Sequence, residues 1–272
     1  MLPATDQGLN AETGDWIQTE TPYFLIRCHP EEESFSEFQC QLSRAYERVS
    51  HFLGCQLSGK IAVIVCRNYR ELWLATMRRP RSLLSVRDDT LVCLSPTKWT
   101  EIWDRIYRRP YRSRDEDENS LVYLLTHELC HIFCYRLWGK QILSHRWFLE
   151  GLADCVAGRG RRFANVLSEA ERLGLFFSDL EKLNRAFEWV ATGSDQWDQT
   201  WIAYAQSWAM IMSLMEGEGK EKVSFFFQKA QAGEASFERL FHQVFRLTPK
   251  ELLQNWLSHQ IGSPPLGDQE AV

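Results

Sequence analysis

The sequence predicts an α+β fold, with a small N-terminal α/β part built on a short mixed sheet and a mainly helical part after it. Two observations carry this expectation. Before residue 120, short segments rich in β-branched and aromatic residues alternate with segments of helical periodicity. From Leu121 onward the apolar spacing is helical almost to the end.

The strands of the first part are read from three segments. Pro22 to Cys28 (PYFLIRC) is aromatic and β-branched, Lys60 to Cys66 (KIAVIVC) is a continuous apolar run, and Thr90 to Leu94 (TLVCL) closes at Ser95-Pro96. The last of these is expected to be an edge strand. Between them, Glu31 to Leu53 places Phe35, Phe38, Leu42, Ala45, Tyr46, Val49 and Phe52 at helical spacing and stops at Gly54. A second helix is expected over Asn68 to Met77, closed by the basic stretch Arg78 to Arg81. The run from Arg105 to Arg114 is basic and Asp115 to Glu118 is acidic, which reads as a solvated surface.

In the second part, helices are expected over 120–137, 147–157, 164–174, 178–191, 199–216, 219–231, 236–246 and 249–260. Thr248-Pro249-Lys250-Glu251 is a capping box with proline at the first helical position, and Ser236 is an N-cap candidate. The organisation expected is a loose start over 1–14, an α/β subdomain over 15–119, a helical subdomain over 120–262 and a disordered tail over 263–272.

Composition narrows the function. With 44% hydrophobic residues the chain can bury a sizeable core, and a net charge of -5 does not favour a nucleic-acid partner. No run of about twenty apolar residues is present, so no membrane span is expected. Met1 to Asn10 has neither a basic start nor an apolar core, and the eight cysteines form no CxxC pair. Those features point to thiols in a reducing cytoplasm.

The chemistry lies in Thr126-His127-Glu128-Leu129-Cys130-His131, an H-E-x-x-H in an apolar helical context. Four residues are a little over one turn, so His127 and His131 share a face and can reach one ion. Glu128 lies about 100° further round and can act on water without being a ligand. The alternative is a pair of structural histidines on a buried face. A catalytic zinc needs a third ligand and an open position. Glu150, in Trp147-Phe148-Leu149-Glu150-Gly151-Leu152-Ala153-Asp154, follows His131 after eighteen residues, enough to end one helix and begin an antiparallel one. Asp154, one turn later, can accept the far N–H of a ligand histidine, or is an ordinary helix residue. Cys134 shares the face of His127, with core packing the plainer reading. His145 and the cluster Arg159, Arg161 and Arg162 are candidates for touching substrate, with surface roles as the default.

The H-E-x-x-H, the eighteen-residue spacing and the W-x-x-E-G-x-A setting together resemble the gluzincin metallopeptidases, most nearly their peptidase MA-like family, over residues 16 to 260. The resemblance implies a zincin-like fold with one zinc ion per chain in a cleft between the two parts. It assigns His127, His131 and Glu150 as ligands, Glu128 as general base and Asp154 as the acid behind a ligand. It also suggests Tyr204 as an oxyanion donor, where a packed core aromatic is the rival reading. The substrate implied is a peptide or protein, paired with the edge strand 90–94. Two departures stand out. Leu149 occupies a position where many relatives have asparagine. The strand Thr90 to Leu94 lacks the G-x-M-x-N by which aminopeptidases of this group hold an amino end, which favours an endopeptidase. The rivals are a non-catalytic zinc-binding scaffold and a zinc hydrolase of a non-peptide amide.

Overall fold

The computed structural model describes residues 16–30, 35–76, 83–87, 89–98, 121–158, 160–189, 197–233 and 236–262. The chain is α+β, mostly helical, with one small mixed sheet of five strands. It divides into two compact units, one formed by 1–49 with 56–136 and the other by 50–55 with 137–272. The charged stretch Arg105 to Glu118, the start 1–14 and the tail 263–272 lie outside the described residues.

In the first unit the strands are β1 (Ile17–Glu20), β2 (Phe24–Cys28), β3 (Ile61–Cys66), β4 (Leu84–Arg87) and β5 (Thr90–Leu94), in the order β1-β2-β3-β5-β4. The inner pairs β2–β3 and β3–β5 are parallel, and β1 and β4 pair antiparallel at the two ends. The expected edge position of Thr90–Leu94 is therefore a correction. β5 has a neighbour on each side, and the edge belongs to β4, which the sequence reading did not include. The physical reason is visible in β5 itself, since all five of its residues are buried, as a strand covered on both faces requires. β1 was also unforeseen, and its sequence IQTE is mostly exposed and carries no apolar alternation.

Helix α1 (Phe35–Leu53) buries Phe38, Leu42, Ala45, Tyr46 and Val49, the stripe its spacing predicts. The Tyr46 ring stacks on Tyr23 at 4.1 Å and lies 5.3 Å from Phe133. Helix α2 (Tyr69–Thr76) starts where Asn68 Oδ1 accepts the Glu71 N–H at 3.0 Å. The Glu71 carboxylate is buried and compensated, accepting from the Arg67 N–H at 2.9 Å and Arg67 Nε at 3.1 Å, with His29 Nε2 at 3.1 Å. Burial, and secondarily the Glu71 charge, push the neighbouring Cys66 thiol far above its ordinary range. Helix α3 (Leu121–Trp138) ends at a clamp. Arg136 donates through Nη1 to the carbonyls of Ser58 (3.1 Å) and Gly59 (3.3 Å) and through Nη2 to that of Lys60 (2.7 Å), just before β3.

The second unit is helical. It contains a 3-10 turn (Gly139–Ser144), then α4 (Arg146–Ala157), α5 (Gly160–Leu173), α6 (Leu180–Trp189), α7 (Trp197–Glu218), α8 (Lys220–Gln231), α9 (Phe237–Phe245) and α10 (Pro249–Gly262). Each helix overlaps the segment read from the sequence. α7 is the hub, packing against α4, α5, α6, α8 and α10. Its carbonyls approach α4 so closely that only glycine fits at 151, where an added Cβ would lie 2.4 Å from the Ser207 carbonyl oxygen. Trp138, Phe148, Phe226, Phe237 and Phe241 form one aromatic cluster, with ring centroids 4.9–6.4 Å apart in the contacting pairs. The capping box is present, Thr248 Oγ1 accepting the Glu251 N–H at 3.2 Å and Glu251 accepting the Thr248 N–H at 2.6 Å. Ser236 occupies the N-cap of α9 in extended geometry but makes no side-chain capping bond. The hexapeptide Ser50–Cys55 completes this unit, with Ser224 Oγ donating to the Phe52 carbonyl and Gln228 Nε2 to that of Gly54, both at 3.2 Å.

Candidate metal centre

Helix α3 is apolar over most of its circumference. Between Leu125 and Cys134, only His127, Glu128 and His131 escape full burial. Those three polar side chains are half-buried, with His127 and His131 one turn apart on the same helix face. The imidazoles of His127 and His131 stand nearly perpendicular, at 89°, with their Nε2 atoms 3.1 Å apart. Two neutral rings so placed either share one proton or turn both lone pairs toward a common cation.

Helix α4 repeats the pattern. From Trp147 to Asp154 every residue is buried except Glu150, which is half-buried. The start of α4 is fixed by side chains of its own unit. Asn184 Oδ1 accepts the Trp147 N–H at 3.0 Å, while Asn184 Nδ2 donates to the Ser144 carbonyl at 2.9 Å. His145, the residue before α4, meets Glu238 Oε1 at 2.9 Å and stacks on Phe237 at 4.3 Å. Burial lowers the His145 pKa, with the charge and hydrogen bond of Glu238 acting the other way.

One ligand atom from each of His127, His131 and Glu150 falls within 4.8 Å of the other two. The donor set fits a divalent ion of the zinc type, which takes imidazole nitrogen and carboxylate oxygen together. The spacing fits too. Two nitrogens held about 2.05 Å from a tetrahedral zinc are about 3.3 Å apart, against the 3.1 Å found between these Nε2 atoms.

The other expected residues are distributed as follows. Glu128 follows His127 in α3 and is half-buried. Asp154 lies one turn after Glu150 in α4 and is wholly buried. Tyr204 is half-buried in α7, its ring edge-on to Phe187 at 5.0 Å and 6.2 Å from Trp201. Cys134 is buried in α3 and is not part of the three-residue group. His145 is engaged with Glu238 as described. Arg159 and the side chains of Arg161 and Arg162 lie outside the described residues. Gly151 enters the sequence reading only as part of the W-x-x-E-G-x-A setting, with no role assigned to it. Its signal was present, a glycine in the middle of an otherwise strong helical pattern beside a ligand.

Among the described residues, no helix is long and apolar enough to cross a membrane. In comparisons with known proteins, no family model matches the chain, and neither the curated proteins nor the solved structures gave a match.

Proposed function

We propose that the chain is a zinc-dependent peptidase of the gluzincin type with a zincin-like fold, more an endopeptidase than an aminopeptidase. The observation that carries the reading is the convergence of His127, His131 and Glu150, with Glu128, a carboxylate that a structural metal would not need, half-buried next to His127 in α3. His127, His131 and Glu150 would hold a zinc ion, which would supply Lewis acidity toward the scissile carbonyl and toward water. Glu128 takes the proton of the attacking water and passes it to the leaving amine. Asp154 orients a ligand histidine by accepting its far N–H, and Tyr204 donates to the developing oxyanion. The substrate is a peptide or protein. Neither β5 nor the edge strand β4 carries the G-x-M-x-N sequence, which keeps the preference for internal bonds. All eight cysteines are thiols, in keeping with a reducing, cytoplasmic setting.

The test combines metal analysis with an unbiased digest. Protein purified without chelators should carry one zinc per chain and cleave members of a peptide library. Glu128→Gln should keep the zinc and lose at least ~100-fold in rate. Absence of stoichiometric metal, or cleavage by the variant at the parent rate, would overturn the reading.

A further inference from the structure

We infer that Gly151 is a positioning residue for the third metal ligand: the backbone approach it allows between α4 and α7 sets where the Glu150 carboxylate lies. The inference rests on the metal site proposed above and concerns how the chain holds it.

The argument begins with a distance. A Cβ at 151 would stand 2.4 Å from the Ser207 carbonyl oxygen, 2.6 Å from the carbonyl carbon and 3.1 Å from Ile211 Cγ1. The first two neighbours are main chain of a buried helix and have no rotamer by which to withdraw. A carbon–oxygen contact needs about 3.3 Å, so any side chain at 151 drives α4 off α7 by about 1 Å or tilts it. The same face of α4 is held a turn further on, where the Cys155 thiol sits 3.7 Å from the Trp208 carbonyl oxygen. Glu150 precedes Gly151 in the helix and has no independent freedom of backbone. One ligand atom of Glu150 lies within 4.8 Å of the histidine nitrogens, and sites of this kind tolerate displacements of roughly 0.5 Å.

A second glycine supplies the control. Gly160, the first residue of α5, also abuts α7, and a Cβ there would lie 2.8 Å from the Trp208 ring. Substitution at 160 strains the same hub helix at a side chain, the Trp208 ring, and not at the main-chain contact between α4 and α7. A purely structural role for both glycines predicts that Gly151→Ala and Gly160→Ala lose stability alike and leave the metal alone.

The experiment measures zinc affinity by competition with a chromophoric chelator, and the visible absorption of the cobalt(II)-loaded protein, beside thermal unfolding. Gly151→Ala should bind zinc at least ~10-fold more weakly, the scale seen when the supports of a ligand are removed, and its cobalt spectrum should change in intensity. Gly160→Ala should keep the parent's affinity within about two-fold and its spectrum. If Gly151→Ala does not fold, Ile211→Phe presses on the same point from α7 and should shift affinity and spectrum in the same direction. Parent-like affinity and spectrum in a folded Gly151→Ala, or in Ile211→Phe where that variant serves, overturns the inference. So does an equal loss of affinity in Gly160→Ala. A parent that binds neither metal overturns the inference together with the reading beneath it.

Discussion

Arg136→Met tests how the motif helix is anchored. The guanidinium closes the last turn of α3 by donating to three successive carbonyls, those of Ser58, Gly59 and Lys60. A hydrogen bond to a charged group contributes about 1.5–3 kcal/mol when dry. Here the side chain is 16% exposed and the three acceptors sit on an exposed turn that water reaches when the arginine leaves. About 0.5–1 kcal/mol for each bond is then the better figure, or about 1.5–3 kcal/mol for the fork. The Asp89 arm adds little, since the pair is 3.4 Å apart and Asp89 is 43% exposed, and such pairs contribute below about 1 kcal/mol. Methionine keeps the apolar stem, so packing is conserved. Equilibrium urea unfolding should show the variant less stable by that 1.5–3 kcal/mol. Arg136→Lys should recover only about a third, because an ammonium cannot span three carbonyls. The deficit of Arg136→Met should change little with salt, whereas the small effect of Asp89→Ala should fade. A stability within about 0.5 kcal/mol of the parent, or full recovery by lysine, would refute the clamp.

Asp154→Asn should weaken zinc binding by about 10–100-fold if the buried carboxylate orients a ligand histidine, read by competition titration; unchanged affinity would make it a structural residue of α4. Tyr204→Phe should keep zinc and substrate binding while kcat falls by roughly 100- to 1000-fold; a kcat within a few-fold of the parent would return Tyr204 to the packing it shares with Phe187. For His145, burial sets the folded pKa below the unfolded value. The unfolded chain therefore binds the proton first, and the stability contribution is present above about pH 6.5 and lost as pH falls from there through the folded pKa. Chemical unfolding between pH 7.5 and 5 should show His145→Gln losing less stability on acidification than the parent, and parallel pH curves would count against this.

The helices of the second unit were legible because each carries a period of 3.6 residues and most carry stop or start signals, such as Gly158 after α4 in the left-handed conformation and the Thr248–Glu251 box before α10. The ligand trio was legible for a similar local reason. Spacing within a helix fixes His127 against His131, and the length of the connector permits Glu150. Sheet order was not legible. Whether a strand is inner or outer depends on its neighbours, and β4, four residues beside an Arg-Pro-Arg stretch, gives almost no local signal. The edge reading of β5 came with the expected pairing of a substrate to it, whereas its unbroken apolar run speaks for the interior. Nor could the sequence foresee the buried Glu71, whose compensation comes from His29, 42 positions away.

The hexapeptide Ser50–Cys55 bears on synthesis. Its hydrogen-bonding partners Ser224 and Gln228 lie 172 and 174 residues downstream. At a translation rate of 5–20 residues per second the wait between the two emerging from the ribosome is about 10–30 s, long beside the time a helix needs to form. During that interval the carbonyls of Phe52 and Gly54 lack these two partners. The closure, when it comes, joins two points far apart in sequence, so it belongs among the late and slow events of folding.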